Sequence, residues 1–416
     1  MKKAYLSFSL LLISILSFGQ FKIDAEIRPR IEMRNGYKMI VPKDTKAAML
    51  ISQRSRLGFS YSTKLYTTHL SFQDVRIWGE EQLKTNQINI GLNEAWVQFN
   101  VSPEVKIKVG RQVLKYDNER LIASSNWNQI GAKHDALKFS FTSGGWDFDF
   151  IGAVNQSKDV FYNSPYALFN KQYKNLGVFW IKKSWNNFTI SSLNIVETLR
   201  QDNNSTVNHN RFTSGIIIHS KMNQTSIDAR SFIQTGERND GTNVDASLVN
   251  VELKQILDDK KFILGGFEIQ SGNKNPDLIT GKDKAFDILY GSRHKLNGLI
   301  DYFSGPSSTK GMGLVDAYLK YNALISKKVA LNLDYHYFET PKSFQSEGLN
   351  YSSYLGSEID FSCSITITPE INITNIFSVI IPTNSMAVAK SSDLDAVKNG
   401  FYFVTMLTFK PVFFKN

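Results

Sequence analysis

From Phe21 to Arg34, alternate residues belong to two different chemistries. Phe21, Ile23, Ala25, Ile27, Pro29, Ile31 and Met33 are apolar, and the residues between them, Lys22, Asp24, Glu26, Arg28, Arg30, Glu32 and Arg34, are all charged. A period of two is the repeat of an extended strand, whose successive side chains point to opposite faces. Seven charges on one face do not suit the core of a small sandwich. They suit a strand with lipid on one side and a wet lumen on the other. A surface strand of a soluble sandwich shares the alternation and is the competing reading for this segment taken alone.

The pattern recurs along the chain. Val105, Ile107 and Val109 alternate with Lys106, Lys108 and Gly110, and Trp146, Phe148 and Phe150 with Asp147 and Asp149. Val249, Val251 and Leu253 alternate with Asn250, Glu252 and Lys254, and Val315, Ala317, Leu319 and Tyr321 with Asp316, Tyr318, Lys320 and Asn322. The segments exceed the ~5–6 residues of ordinary strands and suit tilted membrane strands of ~9–11 residues with extramembrane ends.

Tight connections alternate with long ones. The tight set is Ser62-Thr63-Lys64, Ser102-Pro103-Glu104, Ser143-Gly144-Gly145, Trp185-Asn186-Asn187, Met222-Asn223-Gln224, Asp258-Asp259-Lys260, Ser326-Lys327-Lys328 and Thr368-Pro369-Glu370. The long set includes 35–48, 79–89, 113–132, 157–171, 273–312, 341–352 and 382–399. Short periplasmic turns and long outer loops are the habit of outer-membrane barrels. His294–Phe303 is a further candidate strand, but counting it as one puts the turn Ser326-Lys327-Lys328 on the outer side. Treating 273–312 as one large outer loop restores the order and predicts an all-β, antiparallel transmembrane barrel of about eighteen strands. Its aromatic last strand, about Gly400 to Phe413, is expected to close against the first.

Lys2 and Lys3 precede an apolar run from Ala4 to Phe18, with Ser17 and Gly19 offering a cleavage site. This reads as a signal peptide over 1–19 and a barrel over 20–416, since the run is too short to span a bilayer. Cys363 is the only cysteine, so an internal disulfide is excluded. Removing Lys2 and Lys3 from the formal charge of +10 leaves +8. That excess favours anionic partners, and export argues against nucleic acid among them. No cofactor, metal site or enzyme is expected: there is no His-Glu-x-x-His, Gly-x-Ser-x-Gly or Cys-x-x-Cys motif. Asp147 and Asp149 share a strand face and have the chemistry for acid–base work on a sugar, but are read as solvated lumen groups.

By parity, Arg28, Arg30, Arg34, Arg54, Arg56, Lys106 and Lys108 point away from the apolar stripe. Arg76, Arg111, Lys115, Arg120, Lys133 and Arg293 lie at strand tops or in loops. A guanidinium fork holds a carboxylate bidentately, and a low-dielectric wall strengthens the field of such groups. The expected pore-lining, anion-binding set is Arg28, Arg30, Arg54, Arg56, Arg76, Arg111, Arg120, Asp135 and Arg293. About half of the lumen arginines are expected to pair with acids such as Glu26, Glu32, Glu94, Asp147 or Glu358 and so to serve the wall.

One stretch is more specific. Val109-Gly110-Arg111-Gln112-Val113-Leu114-Lys115-Tyr116-Asp117-Asn118-Glu119-Arg120-Leu121 is followed by Trp127-Asn128-Gln129-Ile130-Gly131-Ala132-Lys133-His134-Asp135-Ala136-Leu137. With Gln73-Asp74-Val75-Arg76-Ile77-Trp78-Gly79 and Tyr290-Gly291-Ser292-Arg293-His294, it resembles the alginate-export family of outer-membrane barrels, most strongly over about 65–140. The resemblance implies eighteen strands and an arginine-lined, loop-constricted pore for a uronate polymer. Two features depart from the family pattern. The turn Thr368-Pro369-Glu370 is tiny where the family's exporter has a long one, and Lys133-His134 stands where an arginine is usual.

The expectation is a passive outer-membrane channel for anionic saccharides, narrowed by loops 113–132 and 273–312. Its partners would be that cargo and outer-membrane lipid, with the oligomeric state left open. The rivals are a general diffusion porin without sugar preference and an outer-membrane enzyme or adhesin.

Overall fold

The computed structural model describes residues 19–82, 89–157, 159–162, 172–202, 205–274, 281–394 and 397–416. All but the last residue of the expected signal peptide lie outside them. The first ten strands are β1 (Gln20–Asn35), β2 (Ala48–Ser62), β3 (Tyr66–Ile77), β4 (Gly91–Asn100), β5 (Val105–Gln112), β6 (His134–Ser143), β7 (Trp146–Val154), β8 (Asn175–Ser184), β9 (Phe188–Leu199) and β10 (His209–Met222). There follow β11 (Thr225–Glu237), β12 (Asn243–Asp258), β13 (Lys261–Gln270), β14 (Leu314–Ser326) and β15 (Val329–Glu339). A small loop hairpin, β16 (Phe344–Ser346) and β17 (Leu349–Tyr351), leads to β18 (Tyr354–Thr368) and β19 (Ile371–Pro382). Helix α1 (Asn384–Ala389), β20 (Gly400–Phe409) and β21 (Val412–Lys415) complete the chain.

Nineteen of these strands form one antiparallel sheet: pairing runs in order from β1 to β15, then through β18, β19 and β20, and β1 pairs with both β20 and β21. The last two are one strand broken at Lys410-Pro411, so the barrel has eighteen staves, as the turn order predicts. The break has a simple cause. Proline has no amide to donate, but its carbonyl still accepts from Ala25 N at 3.0 Å. Closure matters because an open edge in hydrocarbon would leave its amides unpaired.

The faces follow the sequence pattern. Ile27 and Ile31, 42% and 41% exposed, look outward from β1 between buried Glu26, Arg28, Arg30 and Glu32. Val249, Val251 and Leu253 likewise look outward from β12. The eight tight connections all fall at one end. The other end carries the long ones and two of intermediate length, 200–208 and 238–242.

Two loops leave the long end and run back inside. Loop 113–133 first lies against β7–β9: Tyr116 Oη donates to Asp149 at 2.7 Å and Ser191 Oγ to Asp117 at 2.7 Å. It then reaches β13, where Arg120 donates two hydrogen bonds to Glu268 at 2.8 and 2.6 Å. Last it meets β1 and β2 through the carbonyls of Asn126 and Asn128. Loop 271–313, which contains the strand-like stretch His294–Phe303, crosses in the same way. Asp287 bonds Arg211 on β10 at 3.1 Å, and Glu358 on β18 accepts from the Leu299 and Ile300 amides at 2.6 and 2.8 Å. The approach at β18 requires glycine. Gly298 has φ +80°, and a Cβ there would lie 2.6 Å from the Glu358 carboxylate.

The apolar core is therefore inside the barrel, between loops and wall. One cluster joins Leu114, Leu121, Ile122 and Phe286 to inward side chains of β6–β12, such as Val178, Leu193 and Phe232. A second joins Ile40, Ile300 and Tyr302 to Phe338, Ile380 and Tyr402.

Ile27→Arg or Ile31→Arg should impair assembly, because an arginine at mid-bilayer on the lipid face costs ~2–4 kcal/mol. Arg28→Ile should fold, giving a normal heat-modifiable band, but expose loop 113–133 to protease. Arg120→Met strands a buried Glu268 carboxylate, a loss of ~3–5 kcal/mol. It should release the same loop in limited proteolysis, and Arg120→Met with Glu268→Met should restore much of the protection.

Candidate channel constriction and its charges

The β1–β2 hairpin sets Arg28 opposite Arg54 and Glu26 opposite Arg56, all facing inward. This is the single wall the sequence predicts for the first four arginines, yet three of them are not free. Arg54, fully buried, pairs with Glu26 and donates to Asn126 Oδ1 at 3.1 Å. Arg28 donates to Asn126 O at 2.7 Å, Asn128 O at 2.8 Å and Gln129 Oε1 at 3.1 Å. A guanidinium has five donors in a fixed fork, and here the forks are filled by loop carbonyls. Arg30 pairs with Glu32 at 3.0 Å, donates to Trp127 O at 2.9 Å and lies 5.0 Å from the Trp127 ring centroid. The His294 ring stacks with Trp127 at 3.9 Å, joining the two inner loops. With Arg120 on Glu268, four of the predicted anion-binding residues bind the protein itself.

Three more sit at the long-loop rim. Arg111 and Asp135 are register partners 3.3 Å apart, two residues from Val109 and Leu137, which face outward. Arg76 is register-paired with Gln53 on the same face as Phe72 and is held by Asp74 at 2.6 Å. The strand period that identified the barrel also assigns these three to the outer face, at its long-loop rim.

Arg56 and Arg293 remain. Arg56 donates to Gln73 Oε1 at 2.8 Å, and Arg293 to Ser304 O at 2.5 Å and Leu289 O at 3.2 Å. Neither has a carboxylate within 4 Å among the described residues. Lys133, which donates only to Gly131 O at 3.0 Å among them, has none either. Lys133 and Arg293 line one cleft of about 580 Å³ at the long-loop end, together with the Arg111–Asp135 ion pair, Gln73, Gly131, Tyr173 and Tyr290. Arg56 borders it: a Cβ on Gly131 would lie 3.9 Å from its guanidinium. Burial first, then the neighbouring Arg56 guanidinium, pulls the Lys133 ammonium down to about 8. Sequence reasoning placed Lys133 in a loop but not in this cluster, because only the fold of 113–133 brings it to Arg56.

The remaining polar groups are occupied structurally. Asp149 accepts from Ser140 at 2.5 Å and pairs with Lys138 at 2.5 Å, and Asp147 accepts from Thr142 at 2.9 Å. Glu358 meets backbone amides and not an arginine. Among the described residues no group of three or more His, Cys, Asp or Glu is placed to hold a metal.

Solved structures similar to this chain are porin barrels. OccK9 (OpdG) of Pseudomonas aeruginosa has a TM-score of 0.66 at 8% identity, over 94% of this chain and 98% of that one. OccAB1 of Acinetobacter baumannii gives 0.64 at 10%, over 95% and 97%. P. aeruginosa OpdK, solved with vanillate, gives 0.64 at 10%, over 94% and 99%. At such identities the likeness establishes the fold. No curated protein sequence matches the chain. The family profile for alginate export matches residues 20–376, most of the chain. With its eighteen-stave closed barrel and inward-folded loops, the chain belongs to the alginate-export family and is a channel of the outer membrane.

Proposed function

We propose that this channel passes anionic saccharides, uronate oligomers or polymers among them, passively across the outer membrane. The observation behind the reading is the cluster of Arg56, Lys133 and Arg293 at the outer cleft, cationic groups without a carboxylate within 4 Å among the described residues. A ligand carboxylate supplies the partner that the protein does not. Half-buried Tyr290 borders that charge, backed by buried Tyr173, and gives the cleft an aromatic edge beside its cations, an arrangement suited to a sugar acid. OpdK, a fold relative, binds vanillate, an aromatic carboxylate, in its solved structure. The general porin is the second reading. It is favoured by the commitment of Arg28, Arg30, Arg54 and Arg120 to the loops, which leaves a short positive path.

In planar bilayers the wild type should be anion-selective, and oligouronates should reduce its current more than neutral oligosaccharides of equal size. Arg56→Gln, Lys133→Gln and Arg293→Gln together should cut both preferences with heat-modifiable migration intact. Equal block by neutral and acidic sugars would leave the general porin. The pH dependence has a definite sign. An ammonium with a pKa of about 8 is charged at pH 7 and neutral at pH 9, whereas an ordinary lysine titrates near 10.4. Selectivity should therefore fall between pH 7 and 9, and Lys133→Arg should reduce that fall.

A further inference from the structure

The inner wall changes character partway down. Near the long loops, β8–β11 present Val178, Leu193, Ile195 and Phe232 to the packed loops. Towards the periplasmic turns the same strands present Lys182, Ser191, His219 and Asp228. Where the apolar packing ends, a cavity of about 350 Å³ remains between this wall and the descending tip of loop 113–133 at Asp117-Asn118. Its volume is within the range of small-molecule sites, about 300–1,000 Å³.

The groups around it are unequally occupied. Asp117 is held in place, accepting from Ser191 Oγ at 2.7 Å and Trp180 Nε1 at 3.1 Å. Arg230 is spent on Glu252 at 2.8 Å and Asp228 at 3.4 Å. Asp228 uses Oδ1 for both Arg230 and His219, leaving Oδ2 without a partner among the described residues. Lys182 has no ion pair or hydrogen bond among the described residues; its register partner Asp147 accepts from Thr142. The cavity thus offers one uncommitted cation, one uncommitted carboxylate oxygen, the hydroxyl of Thr189 and the apolar side chain of Ile217.

We infer that this cavity is a binding site, on the periplasmic side of the constriction, for a hydroxylated ring bearing one carboxylate, that is, an acidic sugar unit. Lys182 takes the carboxylate, Asp228 and Thr189 take ring hydroxyls, and Ile217 lies against a C–H face. The site is separate from the outer cleft, and the inner loops stand between them. It rests on the reading of the barrel as a passage for acidic saccharides.

The test uses the whole barrel in a planar bilayer, with a galacturonate dimer added to one chamber at a time. The wild type should show transient block from the short-turn side. Lys182→Gln and Asp228→Asn should each weaken it at least about ten-fold, as loss of a hydrogen bond to a charged group does, while Lys182→Arg keeps it. Heat-modifiable migration reports that each variant has folded. Block of Lys182→Gln equal to wild type, or equal block by a neutral disaccharide from that side, overturns the site while anion selectivity stands. A cation-selective wild type overturns the passage reading and the site together.

Discussion

Every backbone amide that this chain places in hydrocarbon must find its partner within the protein, and the closure of β1 on β20 and β21 meets that demand at the seam. The rest follows from it. A closed ladder fixes the register, the register fixes which side chains look inward, and the enclosed lumen decides which of those meet water. The interior is then too wide to be filled by the wall alone. Loops 113–133 and 271–313 fill it, so the tertiary core of this protein is on the concave side of its sheet.

The same closure explains the arginines. A lumen-facing cation is not a free cation when a loop with exposed carbonyls lies within reach. Arg28 and Arg54 bind the turn at 126–129 because its carbonyls have no ladder to join, and a guanidinium supplies several donors at once. Arg120 serves as a cross-lumen strut because Glu268 lies where burial forbids leaving either charge alone. The charges left for a solute, on Arg56, Lys133 and Arg293, are those with no carboxylate within 4 Å among the described residues.

The wall was legible in the sequence because its determinants are local. A period of two, as in 21–34, and tight turns such as Thr368-Pro369-Glu370 identify strands without knowledge of distant residues. Turn parity even removed His294–Phe303, a candidate strand, from the wall. The interior was less legible. Nothing near Arg120 names Glu268 as its partner, 148 positions away, and nothing near Trp127 names His294. Arg111 and Asp135 share the parity of outward Val109 and Leu137, yet the inner loops bring the candidate cleft to their edge, which no local pattern announces.

The concave core also bears on how the molecule is made. Until loop 113–133 docks, Val178, Leu193, Ile195 and Phe232 would line a water-filled tube, and the loop's own Leu114, Leu121 and Ile122 would be bare as well. A wall closed ahead of its loops is therefore a sticky intermediate, greasy on both surfaces, and not a simpler version of the finished pore. Biogenesis favours stave and plug arriving together. Shortening the loop to widen the passage would not yield a broader channel but a tube with an unwetted lining.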